Sequence, residues 1–162
     1  MLRYLPALAL VVALPAWGQN LTFGGMRADT AAPVEIAADA LAVNQSDGTA
    51  VFTGNVVIGQ GPMRLSARRV DVTYAEGGTS RIRLLRAEGD VTLVSGEDAA
   101  EAQEALYDVE AGQVTLIGDV ILAQGGNVLT GQRMEVDLAT GAARVEGRVR
   151  TILQPGQQGG GN

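Results

Sequence analysis

The residues that usually carry enzymatic chemistry are nearly missing from this chain. It has no histidine and no cysteine, which removes the commonest general base, the commonest metal ligand and the thiol nucleophile together. The same absence excludes a disulfide framework. Its serines, Ser46, Ser66, Ser80 and Ser95, stand in no G-x-S-x-G context. A carboxylate pair could still serve a glycosidase, and Asp90 and Asp119 are the candidates. Each directly follows a glycine of a repeated motif and sits opposite an apolar face, where an acid is a solvated structural group. The expectation is therefore that the protein is not an enzyme and needs no cofactor or metal.

All basic residues are arginine, whose guanidinium suits bidentate phosphate contacts, although solvated strand faces account for them as well. The formal charge is −6, and few aromatics interleave the arginines. Nucleic acid is thus an unsuitable partner, for want of both a basic stripe and a stacking platform. The charges are also unevenly placed. Arg64, Arg68, Arg69, Arg81, Arg83 and Arg86 form one block, followed by Glu97, Asp98, Glu101, Glu104, Asp108 and Glu110.

A recurring apolar face remains. Phe52, Val56 and Ile58, then Val91 and Leu93, then Leu116, Val120 and Leu122, then Val145 and Val149, each alternate with polar residues. A period of two buries one side of a segment and solvates the other, as in antiparallel strands. The stretch Thr49–Ile58 returns three times, with its glycine at Gly54, Gly89, Gly118 and Gly147. A second apolar set precedes each glycine, and between the two stand Asp47-Gly48, Gly77-Gly78, Ala111-Gly112 and Thr140-Gly141, which read as hairpin turns. Each unit is a β-hairpin, and the second carries an insertion within residues 75–84. The segment 97–110 is rich in Ala and Glu, good helix formers, but its place in the repeat predicts a strand. Between Ile36 and Leu41 the alternation breaks, predicting a bulge or bend.

Four such units predict an all-β fold, an elongated antiparallel β-jellyroll or rolled sheet built from repeated hairpins and open at both ends. An aliphatic interior with glycine at every step predicts a long trough able to take acyl chains. The alternative is a ligand-free β-solenoid scaffold with a solid core. The last strand, from Ala143, is expected to continue the lining through Val145, Val149 and Ile152 into a neighbour. Because the two ends differ, their union would be head-to-tail.

Residues 1–18 read as a cleavable export signal: Arg3, an apolar run from Leu5 to Ala16, and a small-x-small site at Ala16-Trp17-Gly18. Residues 19–32 lack periodicity and are expected to form a flexible arm, with the β-domain spanning 33–153 and a Gly/Gln-rich disordered tail over 154–162.

P-V-E-I-A-A-D at Pro33–Asp39, F-T-G-N-V at Phe52–Val56, L-S-A-R-R-V-D-V at Leu65–Val72 and L-I-G-D-V at Leu116–Val120, in this order after an export signal, resemble the OstA-like domain family of periplasmic lipopolysaccharide transport proteins, the LptA family. The resemblance covers Pro33 to about Leu153. It implies a twisted jellyroll that shields the lipid A acyl chains of lipopolysaccharide. It also implies head-to-tail self-association and partners in inner-membrane LptC-like and outer-membrane LptD-like jellyroll domains. The implied lipid-binding lining is Val34, Ile36, Phe52, Val56, Ile58, Val72, Tyr74, Leu93, Tyr107, Val109, Leu116 and Leu122. Without lysine, and with an acidic 97–110 zone, the family's headgroup phosphate contacts do not carry over.

Overall fold

The computed structural model describes residues 26–78 and 80–155. The expected export signal, residues 19–25 of the expected arm and residues 156–162 of the expected tail lie outside these. Ten antiparallel strands form one sheet: β1 (Glu35–Ala37), β2 (Ala40–Asn44), β3 (Thr49–Gln60), β4 (Met63–Tyr74), β5 (Ile82–Ser95), β6 (Asp98–Asp108), β7 (Gln113–Gln124), β8 (Asn127–Asp137), β9 (Ala143–Glu146) and β10 (Arg150–Ile152). The order is β1-β3-β4-β5-β6-β7-β8-β10, with β2 also on β3 and β9 also on β8. The sheet is not closed, so β1 and β2 form one edge and β9 and β10 the other. The four predicted hairpins are β2–β3, β4–β5, β6–β7 and β8–β9.

The repeated glycine bends the sheet. Register shifts interrupt every pairing of long strands at mid-length, and each leaves one extra residue on β3, β5 or β7. Those are the strands that carry the Gly-Asn or Gly-Asp step. Gly54 and Asn55, Gly89 and Asp90, Gly118 and Asp119 all have positive φ, as do Gly147 and Arg148 between β9 and β10. Two consecutive left-handed residues make a bulge that kinks the strand sharply. Aligned across the sheet, these kinks form a crease that divides it into an upper wing (with β2 and β9) and a lower wing (with β1 and β10). The break foreseen between Ile36 and Leu41 falls at this crease, where the Asp39 amide donates to the Gly54 carbonyl at 2.9 Å.

The wings fold face to face. Strand alternation and register align inward rows across each wing: Phe52, Val70, Ala87, Ala105, Leu116, Met134 and Val145 above, and Ile36, Ile58, Leu65, Leu93, Ala100, Leu122 and Leu129 below. Both rows belong to a single core cluster or, at Ile36, Phe52 and Val145, pack partly buried against it. The Tyr107 hydroxyl of the upper wing donates to Gln60 Oε1 of the lower, in the buried interior. The predicted strand over 97–110 is β6, whose Ala100, Ala102 and Ala105 point into this core. Pairing on both sides and a buried face override its helical propensity.

Two expectations about the termini are corrected. Residues 26–32, placed in a flexible arm, pack against the fold, with Met26 only 1% exposed. They cross between the wings as one isolated segment and therefore show no periodicity. Gln154, assigned to the tail, donates its amide to Asn127 Oδ1 at 3.0 Å.

The crease is braced on its outer side by polar side chains. Asn55 Nδ2 donates to Asp39 Oδ2 at 2.9 Å, Arg68 pairs with Asp90, and Gln103 Nε2 donates to Asp119 Oδ2 at 2.9 Å. Asp90 and Asp119 thus brace the kinks, each tied to the neighbouring strand.

Candidate lipid-binding interior

The inward face joins all twelve residues expected to line the interior. Val56, Ile58, Val72, Leu93, Tyr107, Leu116 and Leu122 are buried in the core, while Val34, Ile36, Phe52, Tyr74 and Val109 are partly buried against it. The same alternation adds Met63, Leu65, Leu85, Val114, Met134 and Val136. Met26 also belongs to the cluster, although nothing in its sequence context marks it.

The inward side chains are shielded from solvent, with Val72, Leu93 and Leu116 0% exposed. An empty apolar channel would forfeit dispersion attraction along both walls, and collapse recovers it. Parting the wings in water would expose many apolar side chains at about 1.5–3 kcal/mol each. A few of those exceed the roughly 5–15 kcal/mol that holds a typical domain folded. Such an interior can open only as far as other apolar groups take the place of the opposite wall.

At its two edges the lining comes to the surface. Leu41 and Val43 of β2 pair with Phe52 and Ala50 on the inward face, yet are 54% and 53% exposed. At the other edge Val149 is 49% and Leu153 68% exposed. Ile152, expected to continue the lining, pairs with Val128 on the outer face. The alternation that places Val145 inward keeps its parity across the Gly147-Arg148 kink, so Val149, Thr151 and Leu153 stay on the inward side and Ile152, three residues after Val149, does not.

The inward row where the lower wing meets its turns is polar: Gln60, Ser95, Asp98, Gln124 and Asn127 follow one another by register around Met63. Gln124 Nε2 donates to the buried Asp98 carboxylate at 2.9 Å. Gln60 Nε2 donates to the Ala32 carbonyl at 3.0 Å while Gln60 Oε1 accepts from Tyr107.

Burial pushes the Tyr107 phenol above its ordinary value, with the Gln60 hydrogen bond opposing it. A raised folded value means that Tyr107 contributes stability in full below the ordinary phenol pKa of about 10 and loses it as pH rises through the folded value. A phenolate absorbance step above pH 10 that disappears in Tyr107→Phe is expected, accompanied by falling thermal stability. A Tyr107 step at or below the ordinary value would contradict this account of the interior.

The outer faces of the wings differ. The upper wing carries ion pairs Arg69–Asp71, Arg86–Glu88, Arg86–Glu104 and Arg133–Glu135 at 2.6–3.0 Å. The Arg69 guanidinium beside Asp71 holds its carboxyl below the usual carboxylate range. Of these pairs, Arg86–Glu104 joins the basic and acidic blocks of the sequence across adjacent strands, while the others pair residues two apart on one strand. Among the described residues no cluster of acidic side chains is arranged to hold a metal ion.

Comparison with known proteins agrees with this geometry. A family described as LptA/(LptD N-terminal domain) LPS transport protein matches residues 35–142. A protein of Rhizobium meliloti (strain 1021) is 30% identical over 141 residues, spanning 81% of this chain and 76% of the relative. The crystal structure of LptH, the LptA homologous periplasmic component of the lipopolysaccharide transport device from Pseudomonas aeruginosa, has the same fold. It aligns at a TM-score of 0.70 and 20% identity, covering 79% of this chain and 99% of that chain. With the folded, open-edged sheet in place and a match from β1 to the end of the β8–β9 turn, the chain belongs to the LptA/LptD N-terminal domain family of lipopolysaccharide transport proteins.

Proposed function

We propose that the protein is a periplasmic lipopolysaccharide carrier that shields lipid A acyl chains between its wings. In this reading it bridges inner-membrane LptC-like and outer-membrane LptD-like jellyroll domains by head-to-tail docking of its edge strands, after removal of an export signal at residues 1–18. The observation that carries the reading is the continuity of the apolar inward face, which runs through every long strand and emerges at both open edges as Leu41 and Val43, and as Val149 and Leu153. A single isolated pocket would bind lipid; a face that reaches both edges can also pass it to a neighbour. Membership of a lipopolysaccharide transport family supports the same substrate class.

The second reading, a ligand-free scaffold, is favoured by the full burial of inward residues such as Val72, Leu93 and Leu116. The two separate by site-resolved crosslinking. A photo-crosslinker at Phe52, on the inward face, should trap lipopolysaccharide in cells, and one at Arg144 or Glu146, which are exposed on β9, should not. Equal trapping at all three positions, or none at Phe52, contradicts the carrier reading.

A further inference from the structure

The mouth between the wings, opposite the crease, is crossed by residues 26–32, and this segment touches both rims. On the upper rim the Ala28 amide donates to the Leu138 carbonyl and Arg27 Nε to the Thr140 carbonyl, both at 3.1 Å. On the lower rim Ser95 Oγ donates to the Arg27 carbonyl at 2.8 Å, and Gln60 Nε2 reaches the carbonyls of Thr30 and Ala32 at 3.3 and 3.0 Å. Close approach to turn glycines on both sides completes the fit. A Cβ at Gly61 would lie 3.2 Å from Asp29 Cβ, and one at Gly112 3.3 Å from the Thr30 methyl. Met26 alone of these seven residues is buried, at 1% exposure, within the same cluster as the inward rows.

Each wing is held by backbone ladders along the long strands on its own side of the crease. Among the described residues, the crossing segment is held to the rims by one backbone–backbone hydrogen bond, four hydrogen bonds through side-chain donors, the buried Met26 and the partly buried Ala28. Closures held by so few bonds open locally, at far lower cost than the sheet itself. Released, the segment would leave behind an apolar vacancy where Met26 sat, bordered by the polar row of Gln60 and Ser95. That arrangement suits a molecule with an acyl chain and a polar head.

We propose that residues 26–32 are a latch across the mouth, that Met26 occupies space an acyl chain takes, and that an amphiphile enters sideways by displacing them. This rests on the carrier reading and adds to it a route and a competitor within the same chain. Transfer along the interior from edge to edge leaves the latch bonds intact, whereas lateral entry breaks them.

The chain has no cysteine, so one engineered pair is its only disulfide. Asp29→Cys with Gly61→Cys is suited to the purpose, because the 3.2 Å spacing is close to the roughly 3.5–4.5 Å between Cβ atoms in disulfides. The probe is 11-(dansylamino)undecanoic acid, followed by stopped-flow fluorescence on the mature chain. The oxidised pair should take up the probe at least about tenfold more slowly than the same protein after reduction, and Met26→Ala should take it up faster than the parent. Should the pair not oxidise, the Met26→Ala comparison carries the test, with circular dichroism confirming that the variant is folded. Equal rates for oxidised and reduced protein, or for Met26→Ala and parent, overturn the latch while leaving the carrier reading intact. No uptake by any form overturns both.

Discussion

Gly118→Ala is expected to lower the melting temperature by about 10 °C or more, against about 5 °C for Gly48→Ala, on the scale of about 3–5 °C per kcal/mol for a domain of this size. Both positions have positive φ, +85° at Gly118 and +61° at Gly48, and an L-residue there costs roughly 1–2 kcal/mol. They differ in what a side chain would meet. At Gly48 nothing lies within 4 Å, whereas at Gly118 a Cβ would stand 2.6 Å from Gln103 Oε1 and 3.1 Å from Gln103 Cβ. Crowding of that kind adds about 1–3 kcal/mol. It also displaces the Gln103 amide from Asp119, loosening the brace beside the kink. Differential scanning calorimetry of the two variants, together with Gly118→Ala/Gln103→Ala, tests this. The double variant should recover the part of the crowding due to the Gln103 amide, leaving the φ strain, the contact with the retained Cβ and the loss of the brace to Asp119. Equal losses at Gly48 and Gly118 would mean that the crease is not a crowded joint.

Lysine at both Leu41 and Val43 is expected to weaken self-association at least about tenfold, because charge on an exposed edge opposes strand addition. The fold itself should be little affected, since both side chains are more than half exposed. Val149→Lys with Leu153→Lys should act equally at the opposite edge. Head-to-tail docking makes a sharper claim about the mixture. Each variant keeps one competent edge, so the two together should form dimers in sedimentation velocity and nothing longer. If like edges meet instead, one double variant abolishes association alone, the other leaves dimers intact, and mixing adds nothing.

The local elements were legible in the sequence because strand alternation is written directly in residue type. Repeat position placed β6 correctly although Ala99, Ala100, Ala102 and Ala105 favour helix in isolation. The glycines of the Gly-Asn and Gly-Asp steps were visible as a repeat, but not their consequence. Bending needs the partner register, and only the pairing shows that β3, β5 and β7 each carry an extra residue against their neighbours. The misplacement of Ile152 has a simpler cause, since it stands three residues after Val149 and so falls on the opposite face of an alternating strand. Whether the interior stands open or closed is a property of two wings meeting, and no single strand encodes it. Met26 escaped for a related reason. An isolated apolar residue flanked by Gly25 and Arg27 has no period, and its burial arises only in the folded chain, within a cluster built from distant strands.

The central claim is that amphiphile replaces wall-to-wall packing in the interior. Native mass spectrometry of the mature chain, purified from the periplasmic fraction of a Gram-negative host, tests it most directly. The account predicts a bound species whose mass includes lipid A, and its loss in Ile36→Asp/Phe52→Asp, where two half-buried inward positions become charged without removing a fully buried side chain. Bare protein alone, persisting after incubation with purified lipopolysaccharide, would contradict it.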